Sequence, residues 1–445
     1  MELLSIDQNL MRLYKIFTLL VVFSLTIACS KKKENPPVTL TTSVLSGFNV
    51  APKHIGDPEF ALIAPVSTSQ GPFTYTSSNP AVAVIKGDSI VITGVGSATI
   101  TAKQAAWGGY TAGSISSVFV VSPSIYIGGY TYTPGGYLPA VWKNGDTIKL
   151  AGYGLVNSII SVNDHLYVAG SMANGGAFTY PGYWLDGVQH IFARTGGAAG
   201  IAVLGSDIYV AGYDMEGGSG GSNQAAYWKN GVETTLTNPF NCCGQIGTST
   251  ATGIAVSNNQ VFICGSAWAT SGSFSSVVIW KTDGTLVAYS KPTQSGLTDT
   301  SSTANGMLFQ GTDLYVYGAT SYEYGNSYLT YWKNGAPTML STAAPTAAQF
   351  SSMLVQGGNV IFAGTDNINS TLNAAYWTNG VETILAPVAA ANGIASDGTN
   401  IFISGNLYQP GNYATATPVY WLNGTLTYLN GPASSTTTCI SIQEN

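Results

Sequence analysis

Few residues of this chain could perform acid–base or nucleophilic chemistry. Five acids lie in long predicted loops: Asp214, Glu216, Asp299, Glu323 and Asp366. Polysaccharide hydrolysis needs two carboxyl groups at a fixed separation, and the spacing of these five along the chain singles out no pair. Of the three histidines, His54 lies in a separate N-terminal segment, His165 in a short turn and His190 in an outer strand. We therefore predict no catalytic residue.

The cysteines give no metal site. Cys242, Cys243, Cys264 and Cys439 lack the paired spacing of zinc ligands. Cys242 and Cys243 are adjacent in a predicted loop, where we expect free thiols, with a vicinal disulfide as the alternative. No serine–histidine–acid arrangement and no phosphate-binding loop is recognisable either. The sequence predicts neither a metal nor another cofactor.

Aromatic residues are more numerous in the predicted long loops, where Ser, Thr, Asn and Gly surround them. A flat aromatic ring beside hydroxyl and amide groups suits a glycan or a protein ligand, because it offers an apolar surface next to hydrogen-bonding groups. Ordinary packing within the loops is the alternative. The predicted ligand-binding residues are Tyr132, Tyr180, Tyr213, Trp268, Tyr322, Tyr324 and Tyr408.

The elements that would position these loops are repeats. A strand that ends in a tryptophan and a turn, such as YWKNG at 331–335, recurs at intervals of 42 to 52 residues. Its tryptophans are Trp142, Trp184, Trp228, Trp280, Trp332, Trp377 and Trp421. A second motif, such as LYVAG at 166–170, precedes each copy of the first. A third apolar segment, such as GIAV at 200–203, precedes most copies of the second.

Each repeat therefore predicts four short antiparallel strands. The Asn-Gly and Asp-Gly pairs favour tight hairpin turns with positive φ. The second strand is apolar throughout, as expected of a strand that is covered on both faces. Four strands in about 45 residues, repeated radially, are typical of a β-propeller. We predict seven blades over residues 123–445, with the C-terminal segment 438–443 as the innermost strand of the first blade; residues 118–121 are the rival candidate for that strand.

The segment 38–122 lacks the repeat. Its short apolar strands alternate with Pro, Gly and Asn turns, as in a β-sandwich. YTSSNPAVAV at 75–84 and GVGSATITA at 94–102 resemble the bacterial Ig-like group 2 (BIG2) family. The resemblance covers about eighty-five residues and implies an Ig-fold spacer or adhesive module without enzyme activity. The predicted fold class is thus all-β, an Ig-like sandwich followed by a propeller.

The N-terminus has the composition of a secretion signal. Arg12 and Lys15 precede an apolar run over 16–28, which is too short to span a membrane. Because Glu2 and Asp7 do not suit such a signal, we predict that translation starts at Met11. The sequence LTIAC at 25–29 resembles the lipobox of bacterial lipoproteins, which implies that Cys29 is lipidated. Residues 1–28 would then be the signal peptide and 29–37 a tether, with the protein anchored in the cell envelope at the outer membrane.

Composition narrows the function further. The formal net charge is −6, and five of the fifteen basic residues lie before residue 34, so no basic stripe indicates nucleic-acid binding. We predict a monomeric, non-catalytic lipoprotein that contacts the membrane only through its lipid anchor. It would bind a glycan or protein ligand through the long-loop face of the propeller. A polysaccharide-active enzyme with a loop carboxylate pair and a purely structural envelope component are the alternatives.

Overall fold

The computed structural model describes residues 39–173, 179–215, 222–241, 247–269, 275–292, 299–322, 327–340, 349–368, 370–432 and 434–443. Within these ranges every regular element is a β-strand, which confirms the predicted all-β class. The described residues form two compact units. The first comprises residues 39–50, 61–78 and 99–118, and the second comprises residues 51–60, 79–98 and 119–443.

The N-terminal part contributes strands to both units. They are β1 (Leu45–Ser46), β2 (Lys53–His54), β3 (Phe60–Ala61), β4 (Val66–Ser67), β5 (Phe73–Ser77), β6 (Ala83–Lys86), β7 (Ser89–Ile92), β8 (Gly96–Gln104) and β9 (Gly113–Ser122). In the first unit, β1 pairs antiparallel with β4, and β5 with the end of β8. In the second unit, β6 and β7 form a hairpin. The Ig-like assignment of residues 38–122 stays a prediction.

The repeats fold into four-stranded antiparallel sheets, of which the described residues contain seven. Sheet 1 consists of β10 (Ser124–Thr133), β11 (Gly136–Lys143), β12 (Asp146–Lys149) and β37 (Ser435–Gln443). Sheet 2 is β13 (Tyr153–Val162), β14 (His165–Ala173), β15 (Thr179–Leu185) and β16 (Val188–Ile191). Sheet 3 is β17 (Gly196–Leu204), β18 (Asp207–Met215), β19 (Asn223–Lys229) and β20 (Val232–Thr235). Sheet 4 is β21 (Ser249–Ser257), β22 (Gln260–Trp268), β23 (Ser275–Lys281) and β24 (Leu286–Ala288).

The remaining three sheets follow the same plan. Sheet 5 is β25 (Asp299–Gln310), β26 (Asp313–Tyr322), β27 (Ser327–Lys333) and β28 (Ala336–Met339). Sheet 6 is β29 (Gln349–Gln356), β30 (Asn359–Ile368), β31 (Thr371–Thr378) and β32 (Val381–Pro387). Sheet 7 is β33 (Ala389–Ser396), β34 (Ile401–Gln409), β35 (Asn412–Leu422) and β36 (Thr425–Tyr428). In sheet 1 the strand order is β12-β11-β10-β37, so the C-terminal strand takes the place that a repeat's own first strand takes elsewhere.

Hydrophobic clusters join each sheet to the next. One cluster unites Val141 of sheet 1 with Val168 of sheet 2, and equivalent clusters follow along the series to sheets 6 and 7. A last cluster packs Leu429, which follows sheet 7, against Ile127 and Trp142 of sheet 1. The series is therefore closed. A closed ring of four-stranded antiparallel sheets is a β-propeller, which confirms that part of the fold prediction.

The repeated tryptophans fasten neighbouring sheets. Six of them are at most 2% exposed and Trp377 is 8% exposed. Burying an indole also requires a partner for its N–H group. Four of the indoles donate this hydrogen bond, at 2.7–2.8 Å, to a backbone carbonyl that follows the outer strand of the preceding sheet: Trp142 to Asn430, Trp184 to Ala151, Trp280 to Thr237 and Trp332 to Ser290.

The turn after each tryptophan does more than reverse the chain. Its first residue has φ near +50° in six sheets, which Asn and Asp tolerate better than other L-residues. In the same six sheets its side-chain oxygen accepts a hydrogen bond of 2.8–2.9 Å from the backbone N–H at or next to the start of the second strand. The pairs are Asn144 with Ile125, Asp186 with Leu166, Asn230 with Ile208, Asn334 with Leu314, Asn379 with Val360 and Asn423 with Ile401.

A β-bulge interrupts the first strand of sheets 2 to 7. In sheet 1 it interrupts β37, which takes the place of the first strand. The last glycine of each LYVAG-like motif lies against this irregular backbone. A Cβ atom on Gly212, for example, would overlap the carbonyl oxygen of Gly197. The same overlap recurs in all seven sheets, so close approach of two backbones explains why the motif ends in glycine.

Candidate ligand-binding surface

The predicted ligand-binding residues that the structure describes lie at one end of the sheets. Tyr132, Tyr213, Trp268, Tyr322 and Tyr408 lie near the ends of the second strands, and Tyr180 near the start of a third strand, next to the hairpins that join these strands. Tyr324 lies outside the described residues. Two of them pack against other tyrosines: Tyr132 against Tyr137 on sheet 1, and Tyr408 against Tyr413 on sheet 7.

The other predicted residues stand apart from these groups. Tyr322 is only 2% exposed; its hydroxyl donates a 2.9 Å hydrogen bond to the carbonyl oxygen of Pro292, and its ring packs edge-on against Tyr328. Its side chain is therefore part of the packing of sheet 5 in this structure. Tyr180, Tyr213 and Trp268 are half-buried on sheets 2, 3 and 4.

Six tyrosines at the hairpin end of sheets 7, 1 and 2 form what we name the tyrosine surface: Tyr130, Tyr132, Tyr137, Tyr153, Tyr408 and Tyr413. On sheet 1 the ring of Tyr137 meets those of Tyr130 and Tyr132 edge-on, with centroids 5.1 and 5.7 Å apart. Tyr132 and Tyr137 are also direct partners in the strand register. On sheet 7 the centroids of Tyr408 and Tyr413 are 5.6 Å apart.

Two further observations connect these groups across the joins between sheets. Burial raises the pKa of Tyr408 and the neighbouring phenol of Tyr130 raises it further, while a hydrogen bond with Asn406 opposes both effects. Sheets 7 and 1 therefore place these two hydroxyls within electrostatic range of each other. Tyr153, the first residue of β13, lies against the sheet 1 hairpin: its ring is so close to Gly136 that a Cβ atom there would be 3.7 Å away.

Four of the six rings are open to solvent. Tyr132 is 59% exposed, Tyr137 and Tyr153 are each 45% exposed, and Tyr413 is 43% exposed. All six tyrosines belong to strands rather than to loops. A strand holds a side chain in place better than a loop does, so these rings form a fixed aromatic surface.

Carboxyl groups meet elsewhere on the ring. Asp214 on sheet 3 is buried, and its carboxylate accepts a 2.7 Å ion-pair hydrogen bond from Arg194, whose guanidinium is also 3.6 Å from Glu233. Burial and the neighbouring Asp214 carboxyl raise the pKa of Glu233. Of the other acids in predicted loops, Glu216, Glu323 and the side chain of Asp299 lie outside the described residues.

Asp366 on sheet 6 occupies the position that Asp214 has on sheet 3, two residues beyond the motif glycine. It is buried as well. Burial and the charge of Asp366 raise the pKa of Glu382, which stands opposite the tryptophan as Glu233 does. Sheets 3 and 6 therefore each contain a pair of carboxyl groups at equivalent positions.

The first strands of the sheets surround a cavity of about 240 Å³. The extra residue of each bulge lines it: Asn157, Ala199, Thr252, Asn305, Ser351, Asn392 and Thr438. The three asparagines donate hydrogen bonds of 2.7–3.0 Å to backbone carbonyls of the following sheet. These three asparagines therefore link neighbouring sheets. The side chains that line the cavity carry no charge.

Groups suited to metal or thiol chemistry are sparse in the described ranges. They contain no cluster of three His, Cys, Asp or Glu side chains that could hold a metal ion. Cys264 and Cys439 are free thiols, and burial raises the pKa of each to about 12, which keeps both protonated. Cys29, Cys242 and Cys243 lie outside the described residues. Within the described part, no helix is long and apolar enough to cross a bilayer.

Of the six members of the tyrosine surface, Tyr132 and Tyr408 were selected from the sequence as ligand-binding residues and Tyr153 was missed; the other three are aromatic residues of the same predicted long loops that were not selected. Tyr130, Tyr137 and Tyr413 lie near the same hairpins as Tyr132 and Tyr408, so their spacing was an available signal. Tyr153 gave no such signal, because it begins the first strand of the next repeat. Only the packing of sheet 2 on sheet 1 brings it to the hairpin.

No family model matches this chain, and no curated protein matches it. Solved structures with a similar chain path include a quinoprotein alcohol dehydrogenase-like protein from Bacteroides thetaiotaomicron, 9% identical, covering 88% of this chain and 96% of that one with a TM-score of 0.38. The β-propeller domain of the trilobed protease from Pyrococcus furiosus is 10% identical, covering 75% and 94% with a TM-score of 0.38. At such low TM-scores neither similarity adds to what the sheet topology shows.

Proposed function

We propose that this chain is a non-catalytic lipoprotein of the bacterial cell envelope that binds a glycan through the tyrosine surface. In this proposal Cys29 carries the lipid and anchors a monomer in the outer membrane. Residues 38–122 form an Ig-like spacer, and the seven sheets are the blades of a propeller that β37 closes. The observation that carries the proposal is the fixed group of solvent-exposed tyrosine rings on sheets 7, 1 and 2.

A glycan suits this surface for a physical reason. The C–H face of a sugar ring is apolar and stacks on an aromatic ring, while its hydroxyls exchange hydrogen bonds with the phenol oxygen. Tyr132 and Tyr413 offer such rings at 59% and 43% exposure. Their strands hold them in place, so little conformational entropy is lost on binding. A protein ligand remains the alternative occupant, and its capture is one outcome of the test below.

The enzyme alternative would need a carboxyl pair, and the structure describes two: Asp214 with Glu233, and Asp366 with Glu382. Arg194 already satisfies Asp214 at 2.7 Å, and Asp214 is buried, so its carboxylate is engaged within the fold. A reacting carboxylate must instead be free to meet its substrate. The geometry of Asp214 and Glu233 therefore favours an ion-pair role. Asp366 is buried like Asp214.

The test compares glycan binding by the full chain with that of a Tyr132→Ala/Tyr137→Ala/Tyr413→Ala variant on a glycan array. Binding should fall at least tenfold, the loss expected when anchoring aromatic side chains are truncated. Tyr428→Ala is the matched control, since Tyr428 is 62% exposed on the outer strand β36 and lies outside the tyrosine surface.

Three outcomes would refute the proposal. The triple variant could bind as well as the wild type, or the wild type could bind no glycan and capture a protein instead. Turnover of a bound polysaccharide that disappears in Asp214→Asn would favour the enzyme alternative.

A further inference from the structure

We infer that the ligand of the tyrosine surface is an uncharged oligosaccharide long enough to contact rings on more than one sheet. This inference rests on the proposed function and narrows it to a ligand class. Two independent observations carry it: the distribution of charge around the propeller, and the division of the tyrosines among three sheets.

The part of the chain that builds the tyrosine surface carries no charge. Residues 124–142, 150–163 and 398–443 contain no Asp, Glu, Lys, Arg or His, and all six tyrosines lie within these three segments. Of the charged residues described in sheet 1, Lys149 is the nearest in register to the tyrosines, opposite Ala140 on the outer strand. Sheet 7 is uncharged from its second strand to its end.

Other charged groups at this end of the ring lie on or beside sheets 3 and 6. Asp214 and Arg194 pair beside sheet 3, and Asp366 lies on sheet 6. An acidic glycan bound at sheets 7, 1 and 2 would lose hydration of its carboxylates or sulfates. The six tyrosines supply no guanidinium or ammonium group to replace it, and Lys149 lies on the outer strand of sheet 1. A neutral sugar has no such desolvation penalty. The distribution of charge therefore favours neutral over acidic glycans as ligands.

Hydrogen-bonding groups beside the rings are also neutral. Gln409, whose side chain ends in a neutral amide, is exposed at the hairpin of sheet 7. Other polar side chains serve the fold, since the hydroxyl of Thr133 donates to the carbonyl of Gly136, and those of Thr131 and Ser435 bond to each other. Phenol hydroxyls and amides exchange hydrogen bonds with sugar hydroxyls without any change of charge.

The arrangement of the rings indicates an extended ligand. Sheet 7 contributes Tyr408 and Tyr413, sheet 1 contributes a group around Tyr137, and sheet 2 contributes Tyr153. One sugar ring stacks on one aromatic ring, so a monosaccharide leaves the tyrosines of the other sheets unused. A chain of several sugars can occupy two or three of these groups at once, and linked contacts raise affinity well beyond that of either alone.

The experiment measures binding of the full chain to an array that holds neutral and acidic glycans of one to six sugars. Calorimetry on the binders follows, at about 0.01 M and about 1 M ionic strength. We expect neutral chains to bind, affinity to rise at least tenfold from one sugar to six, and salt to change it less than about twofold. Tyr413→Ala should lower the affinity for the six-sugar chain about tenfold and the affinity for a single sugar by a smaller factor.

The outcomes separate this inference from the proposed function. Preference for acidic glycans through the same tyrosines, or affinity that falls steeply with salt, would overturn the inference while glycan binding stands. Equal affinity for one sugar and six would overturn its length component. Binding of no glycan, or binding that Tyr132→Ala and Tyr428→Ala weaken equally, would overturn both proposals.

Discussion

Replacing Asn334 in the turn of sheet 5 separates two roles of the repeated Asn-Gly turn. Asn334 has φ +49°, its side-chain oxygen accepts a 2.9 Å hydrogen bond from the backbone N–H of Leu314, and its amide donates to Asp313. Asn334→Gly keeps the positive φ at no steric cost but removes both side-chain hydrogen bonds. Asn334→Ala removes them and also strains the backbone.

The size of the effect follows from the groups left without partners. Leu314 is 8% exposed, so its N–H loses its acceptor in a place that water barely reaches. An unsatisfied buried donor costs about 2 kcal/mol. Asp313 is exposed and keeps its 2.8 Å ion pair with Lys333, so it contributes little. We expect Asn334→Gly to lower the free energy of unfolding by about 2 kcal/mol, and Asn334→Ala by roughly 1 kcal/mol more.

Equilibrium denaturation followed by tryptophan fluorescence measures these changes, since Trp332 is buried two residues away. Amide hydrogen exchange of Leu314 provides a local readout, and it should accelerate in both variants. If the turn conformation alone explained the asparagine, Asn334→Gly would be as stable as the wild type. Wild-type stability together with unchanged exchange at Leu314 would refute the reasoning.

Two further predictions concern a carboxyl group and a glycine. Because the folded state raises the pKa of Glu233, with burial as the largest cause and Asp214 next, the protonated form is favoured and stability is lost as pH rises through that pKa. Glu233→Gln should therefore raise the melting temperature at pH 7, with the gain vanishing near about pH 4; an equal gain at both pH values would contradict this. Gly212→Ala should lower the unfolding free energy by more than about 3 kcal/mol through overlap with the Gly197 carbonyl, whereas Gly205→Ala, in open space at φ +61°, should cost about 1 kcal/mol. Denaturant titration of both variants checks this, and similar losses would contradict it.

Local patterns in the sequence were sufficient to predict the repeated unit. Asn-Gly after a tryptophan specifies a hairpin, because few other residue pairs accept two consecutive positive φ angles. The apolar LYVAG-like strands indicate burial on both faces, and the structure covers them on both. These patterns did not reveal the hydrogen bonds that the turn asparagine and the tryptophan make to other strands and segments. The Asn oxygen that holds Leu314 and the indole N–H of Trp332 that reaches Ser290 are contacts between elements.

The candidate site shows the same division. Tyr132 and Tyr408 were predicted from the type of residue near a hairpin. The sequence predicted that both lie on the long-loop face, but it could not show which rings meet across 276 residues of chain, from 132 to 408. Tyr153 belongs to neither hairpin and was missed.

The sequence by itself determined a chain of β-hairpin repeats with aromatic residues near one set of turns, because strand and turn preferences act over a few neighbouring residues. Only the tertiary structure decided which tyrosines meet and which, like Tyr322, are buried. The packing of Leu429 against Trp142 and the pairing of β37 with β10 bring the two ends of the repeat series together. Side chains become neighbours there through closure of the ring, which depends on the packing of all the sheets at once.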